Sequence, residues 1–199
     1  MELWTTNVGS HMWSMDTPNS DTDLFTCYVM SKKDFLTGKT PKNKFIQTDE
    51  KDIQIHEIYN VVQQLKKMNI NYIWYLTSPV VLKTSVYHQK LLEIFNNNPG
   101  KSIVYSVMGM FINNLKKYKN PPQKKMNIWK RTIYMTVEYI KSGKIHYTPE
   151  YAENMDDVME SYDILMKEYE NSTMPIKPDP RPYDDFLYDI REALVLETL

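Results

Sequence analysis

Val8-Gly9-Ser10-His11-Met12-Trp13-Ser14, followed at once by Asp16-Thr17-Pro18-Asn19-Ser20-Asp21-Thr22-Asp23, is the stretch on which the reading of this 199-residue chain turns. Two aspartates spaced i, i+2 at the start of an apolar run point to the same face of a strand, with Cα atoms roughly 6 to 7 Å apart. Carboxylates that close repel each other unless a cation lies between them, and an oxygen-only donor set suits a hard ion such as magnesium or manganese. Gly9 permits close approach of the backbone. Ser10 adds a hydroxyl beside N–H groups at the start of the next element, a combination that suits phosphate. Asp-Thr-Asp alone also fits a solvated strand end; its conjunction with Gly9-Ser10 gives it weight.

Leu3 to Val8 reads as a strand ahead of this motif and Leu24 to Met30 as a strand after it, joined through the polar turn at 16–20. Lys32 to Glu50, with Gly38 and Pro41, reads as an exposed connection holding one short element. Ile53 and Ile55 alternate with polar neighbours over Asp52 to His56, the period of a half-buried strand. A helix then begins near Glu57 with Ile58, Val61, Val62 and Leu65 on one face. Helical spacing recurs over Val86 to Phe95, Ser102 to Tyr118, Lys124 to Lys141 and Met155 to Tyr169, and a last helix is expected from Tyr183 after the Pro-rich run 177–182. The expected class is therefore α+β: a small mixed β-sheet core followed by a mostly helical C-terminal part. The expected divisions are 1–68 for the core, 69–170 for a helical part with a basic block, and 171–199 for a Pro-rich linker and acidic helix.

Charge is unevenly placed. Residues 1–57 hold 6 basic and 9 acidic side chains, 58–149 hold 14 and 2, and 150–199 hold 4 and 14. The basic middle fits an anionic partner, and the acidic tail could shield it. Lys124 and Arg131, at i, i+7, would share a helical face able to hold a triphosphate tail or an acceptor's backbone. One cysteine, Cys27, excludes an internal disulfide and, buried among apolar neighbours, reads as core; together with the absence of an apolar run of about 18 residues it points to a cytoplasmic protein. Gly38-Lys39-Thr40 ends like a phosphate-binding P-loop, but Lys33 occupies the place of the glycine that loop requires.

The Gly-Ser, a gap of about ten residues, and the Asp-x-Asp resemble the signature of polymerase-beta-type nucleotidyltransferases. More narrowly they resemble the group associated with RNA-repair ligases, through Trp13, three after the serine, and Thr17-Pro18-Asn19-Ser20-Asp21. Ser14 stands where that group usually has Gly. Asp52 to Leu65, Asn69-Ile70-Asn71, Ser78-Pro79, and Lys124 and Arg131 ahead of Gly143-Lys144-Ile145 continue the likeness, while Ile128 replaces an expected His. The resemblance implies Asp21 and Asp23 as ligands of Mg2+ or Mn2+, with a third carboxylate on a neighbouring strand. Asp52 is the first choice for it and Glu57 the second. It implies Gly9 and Ser10 as phosphate-binding and a nucleoside triphosphate (NTP, ATP among them) as substrate. The expected activity is transfer of a nucleoside monophosphate to a hydroxyl acceptor, with RNA among the acceptors. The alternative is a non-catalytic nucleotide- or nucleic-acid-binding protein of the same fold.

Overall fold

The computed structural model describes residues 1–18, 20–48 and 51–196. Asn19 of the Thr-Pro-x-Ser-Asp run, the end of the 32–50 connection and residues 197–199, where the last helix was expected to continue, lie outside the described residues. The order is β1 (Glu2–Asn7), a 3-10 turn (His11–Trp13), β2 (Thr22–Tyr28), α1 (Lys32–Leu36), β3 (Lys44–Gln47), β4 (Lys51–Glu57), α2 (Ile58–Leu65), α3 (Ile70–Thr77), β5 (Val81–Lys83), α4 (Val86–Asn97), α5 (Ile103–Leu115), α6 (Gln123–Ser142), α7 (Met155–Asn171) and α8 (Arg181–Val195). The class is α+β, with a mixed sheet first and helices after it.

The chain forms two compact units, Met1–Asn98 with Asp179–Leu199, and Pro99–Pro178. The first holds a five-stranded sheet in the order β3-β4-β2-β1-β5. β2 and β4 run parallel in continuous register from Thr22↔Lys51 to Tyr28↔Glu57, while β1 pairs antiparallel with both β2 and β5 and β3 antiparallel with β4. A parallel pair needs a crossover, and residues 29–50 supply it. That connection contains two elements, α1 and β3, where one was expected. β3 is an edge strand exposed along its whole length, so no alternation of burial marked it. α3 and the three-residue exposed strand β5 were likewise not read from periodicity.

Below the sheet, α2 buries Ile58, Val61, Val62 and Leu65 completely, the stripe that its spacing predicts; each such side chain contributes about 1.5–3 kcal/mol of transfer free energy. Trp4, Phe25 and Tyr75 form the aromatic centre, with Phe25 and Tyr75 stacked at 4.1 Å. Cys27 is buried and free, and burial pushes its thiol well up. His88 stacks on Trp4, 4.9 Å between centroids. Its Nε2 lies 3.0 Å from the Leu76 carbonyl, so that nitrogen carries the proton, and Nδ1 can accept from the Thr84 hydroxyl.

The two units are bounded near 98 and 178, where the expected divisions were at 68 and 170. α3, α4 and the acidic α8 belong with the sheet, because α8 buries Tyr183, Phe186 and Ile190 and its acids meet cations of that unit: Asp184 with Lys66 at 2.7 Å and Asp189 with Lys90 at 2.5 Å. In the second unit, α6 contributes the core residues Trp129, Ile133, Met135 and Tyr139, and Trp129 meets Phe111 edge-on at 5.4 Å. Among the described residues, no helix is long and apolar enough to cross a membrane.

Candidate active site

The parallel register places Asp23 directly beside Asp52. Asp21, just ahead of β2, completes a group of three carboxylates, one oxygen of each lying within 4.8 Å of the others. Asp21 is exposed, and Asp23 and Asp52 are half-buried. Such a set fits a hard divalent cation, since it offers only oxygen donors and concentrates negative charge that a cation would neutralise.

Gly9 is shaped by this cluster. Its φ is +65°, and a Cβ there would overlap Asp23 Oδ2 and come within 2.9 Å of its Cγ. Any larger residue would push Asp23 out of place. The loop is held at both sides: Val8 N–H donates to the Asp23 carbonyl at 2.8 Å, and the Ser10 carbonyl accepts from Trp13 and Met15, both at 3.1 Å. The Ser10 side chain makes no capping bond. Ser14 has φ +54°, a left-handed conformation that explains why a glycine is usual there.

Ser78 anchors the end of β1 that leads into this loop. Its buried hydroxyl donates to the Asn7 carbonyl at 2.6 Å and accepts from Val80 N–H at 3.2 Å. The Tyr75 carbonyl accepts from both Trp4 Nε1 and the Thr6 hydroxyl, which fixes α3 against β1. Asn69 caps α3 by accepting from Asn71 N–H.

Beside the carboxylates a cavity of about 290 Å³ opens, bounded by Gly9, Asp23 and Asp52 on one side and by Phe45, Asn71 and Trp74 on another. Tyr75 and Gln54 also face it, joined by a bond from the Tyr75 hydroxyl to Gln54 Oε1 at 2.9 Å; burial raises the Tyr75 phenol far above its usual range. Trp74 packs edge-on against Trp13, and its buried Nε1–H has no hydrogen-bond partner among the described residues. These lining residues went unassigned in the sequence. The i, i+3, i+4 spacing of Asn71, Trp74 and Tyr75 was the available signal, since it puts them on one helix face.

The other candidates are placed differently. Glu57 pairs with Tyr28 at the far end of the β2–β4 ladder, is fully buried and caps α2 by accepting from Tyr59 N–H at 2.7 Å. Lys124 and Arg131 both lie on α6 in the second unit. Lys124 is exposed in the first turn, whereas Arg131 is buried, and burial lowers its guanidinium to about 10. Of the basic run, Lys130 is paired with Asp157 at 2.7 Å, and Lys116, Lys117, Lys119 and Lys124 are exposed.

No curated protein matches the sequence. Residues 3–170 match the RNA repair pathway DNA polymerase beta family (RlaP), a span that takes in the Gly-Ser turn, the three aspartates, Lys124 and Arg131, and the chain therefore belongs to that family.

Proposed function

We propose that the protein is a metal-dependent nucleotidyltransferase that moves a nucleoside monophosphate from an NTP to a hydroxyl acceptor, with an RNA end as the acceptor class that the family's description favours. The observation that carries this reading is the gathering of Asp21, Asp23 and Asp52 within 4.8 Å, at the mouth of a cavity with aromatic and amide walls. The three aspartates would hold Mg2+ or Mn2+. Bound there, such an ion supplies neutralisation of triphosphate charge and a lowered pKa for an attacking hydroxyl.

The rest follows from the chain's own groups. Gly9, lacking a side chain, lets phosphate approach the backbone, and the Ser10 hydroxyl offers a donor to it. Phe45 and Trp74 provide flat surfaces for a base, while Asn71, Gln54 and the Trp74 Nε1–H provide edges that can read its polar atoms. In the transfer the acceptor oxygen bonds to the α-phosphorus, the bond to the bridging oxygen breaks, pyrophosphate leaves, and the acceptor's proton passes to a carboxylate or to water. The exposed lysines 116, 117, 119 and 124 suit an RNA backbone.

Incubation with each labelled NTP, magnesium and a panel of RNA ends tests the proposal. Label transfer that disappears in Asp23→Asn supports it. RNA binding that survives Asp23→Asn, with no transfer by the unaltered protein to any acceptor, supports the non-catalytic alternative.

A further inference from the structure

A second cavity in the first unit lies away from the aspartates. It has a volume of about 560 Å³, within the range of about 300–1,000 Å³ usual for small-molecule sites, and lies beyond the opposite end of the parallel strands. Met30, which follows β2, and Tyr59, which follows β4, border it, and five residues of strand put its end of the ladder about 17 Å from Asp23 and Asp52. Phe35 of α1 and Leu187 and Tyr188 of α8 give it apolar and aromatic walls. The Gly38-Lys39-Thr40 turn, which is no P-loop, forms part of its rim.

Lys39 and Arg191 are the charged side chains on the cavity's lining; Lys39 is paired with Asp34, which leaves Arg191 as the cation of interest. Arg191 is held in a fixed pose: Nη2 donates to Glu57 Oε1 at 2.6 Å, and Cζ sits 4.9 Å over the Phe35 ring. Its side chain is only 14% exposed, and Nη1 is buried with no hydrogen-bond partner among the described residues. A buried donor of this kind is destabilising unless an acceptor meets it. Glu57 is already served by Arg191, Tyr59 N–H and Met30 N–H, the last at 3.4 Å, so it does not supply that acceptor.

We propose that this cavity is a second binding site, for a flat aromatic carboxylate whose acid group meets Arg191 Nη1 and whose ring lies among Phe35, Tyr59 and Tyr188. The ligand bridges the α1 segment and α8, two parts of the unit distant in sequence, and so stabilises the sheet end remote from the aspartates. The planar guanidinium favours a carboxylate over a neutral amide, because charge-assisted bonds are roughly twice as strong as neutral ones.

Titration of the full chain with 2-naphthoate and with its neutral isostere 2-naphthamide, by calorimetry, tests this. The expected result is one-to-one naphthoate binding at least about tenfold tighter than naphthamide, equal to about 1.4 kcal/mol. Arg191→Lys, which keeps a cation for Glu57 but removes the second fork nitrogen, should bring the two within about twofold. Tyr188→Ala, at an exposed wall, should weaken both. Asp52→Asn should leave naphthoate binding unchanged. Equal affinities in the unaltered protein, a preference that persists in Arg191→Lys, or loss of naphthoate binding in Asp52→Asn would each overturn the proposal. Should Arg191→Lys not fold, Leu187→Trp decides: it fills the cavity from α8, and naphthoate binding that survives it refutes the site.

Discussion

The two ends of one pair of strands treat their acids in opposite ways. At the start of the β2–β4 ladder, Asp23 and Asp52 stand side by side and Asp21 joins them, three carboxylates within 4.8 Å. At its finish, Glu57 is fully buried but meets a guanidinium at 2.6 Å and two backbone N–H groups. The same residue chemistry thus suits a cation at one end and is structural at the other. What separates them is their company: Glu57 meets a cation, whereas the three aspartates meet one another. Glu57 has its charge compensated within the fold; the aspartates concentrate charge that an incoming cation is suited to neutralise.

Substitution at each end should separate these roles. Asp52→Asn is expected to lower nucleotidyl transfer by roughly a thousandfold or more, as loss of a ligand of the metal site would. Because it also removes like-charge repulsion, its thermal midpoint should stay level or rise. Glu57→Gln should behave in reverse. Removing one partner of a buried ion pair costs about 3–5 kcal/mol, which at about 2–4 °C per kcal/mol lowers the midpoint by roughly 6–20 °C. Transfer per folded molecule should be kept. Thermal scans and a transfer assay on both variants would break the comparison if Asp52→Asn unfolds the protein or Glu57→Gln abolishes transfer.

Gly9→Ala sharpens the aspartate end by moving a carboxylate without removing it. The new Cβ would displace Asp23, and a misplacement of about 1 Å can cost about a hundredfold in rate. Raising the metal concentration should recover part of the loss, which would not happen in Asp52→Asn if that carboxylate is essential.

Much of this contrast was legible in the chain and part was not. The alternation of Ile53 and Ile55, the Asp21-Thr22-Asp23 spacing and the small residue at position 9 are local signals, and the strands and the carboxylate cluster they indicate are present. Glu57 could be read as a helix cap from its place before α2, yet its partner Arg191 lies 134 positions away, and no local pattern announces that. The cavity beside the aspartates draws on β3, β4 and α3. Phe45 comes from an edge strand with no buried face, so its role depends on pairing with Gln54 and not on its neighbours in sequence.

Acid should act on the buried part of the sheet through its histidines. His56, next to Glu57, and His88, against Trp4, are both buried, and burial lowers the pKa of each below its usual 6.5. The unfolded chain then binds protons that the folded one refuses as pH falls below about 6.5, so stability is lost in that window, with a slope of at most ~1.4 kcal/mol per pH unit for each histidine. Urea unfolding at several pH values would show it. In His56→Phe, which keeps an aromatic ring against Phe25, the slope should be shallower; an unchanged slope would place the acid sensitivity elsewhere.

The smallest effect lies back at the aspartate end, where Ser14 holds a φ of +54°. A left-handed conformation costs an L-residue about 1–2 kcal/mol, which glycine avoids, while the extra freedom glycine gives the unfolded chain takes back about 0.4–1 kcal/mol. Ser14→Gly should therefore stabilise the protein by about 0.5–1 kcal/mol, a rise of roughly 1–4 °C in the midpoint. Transfer activity should barely change, since the backbone already adopts the path glycine would choose. A gain at Ser14 beside a loss at Gly9, five residues apart in the same turn, would show that this end of the sheet is shaped by the position of Asp23 and not by the stability of its loop.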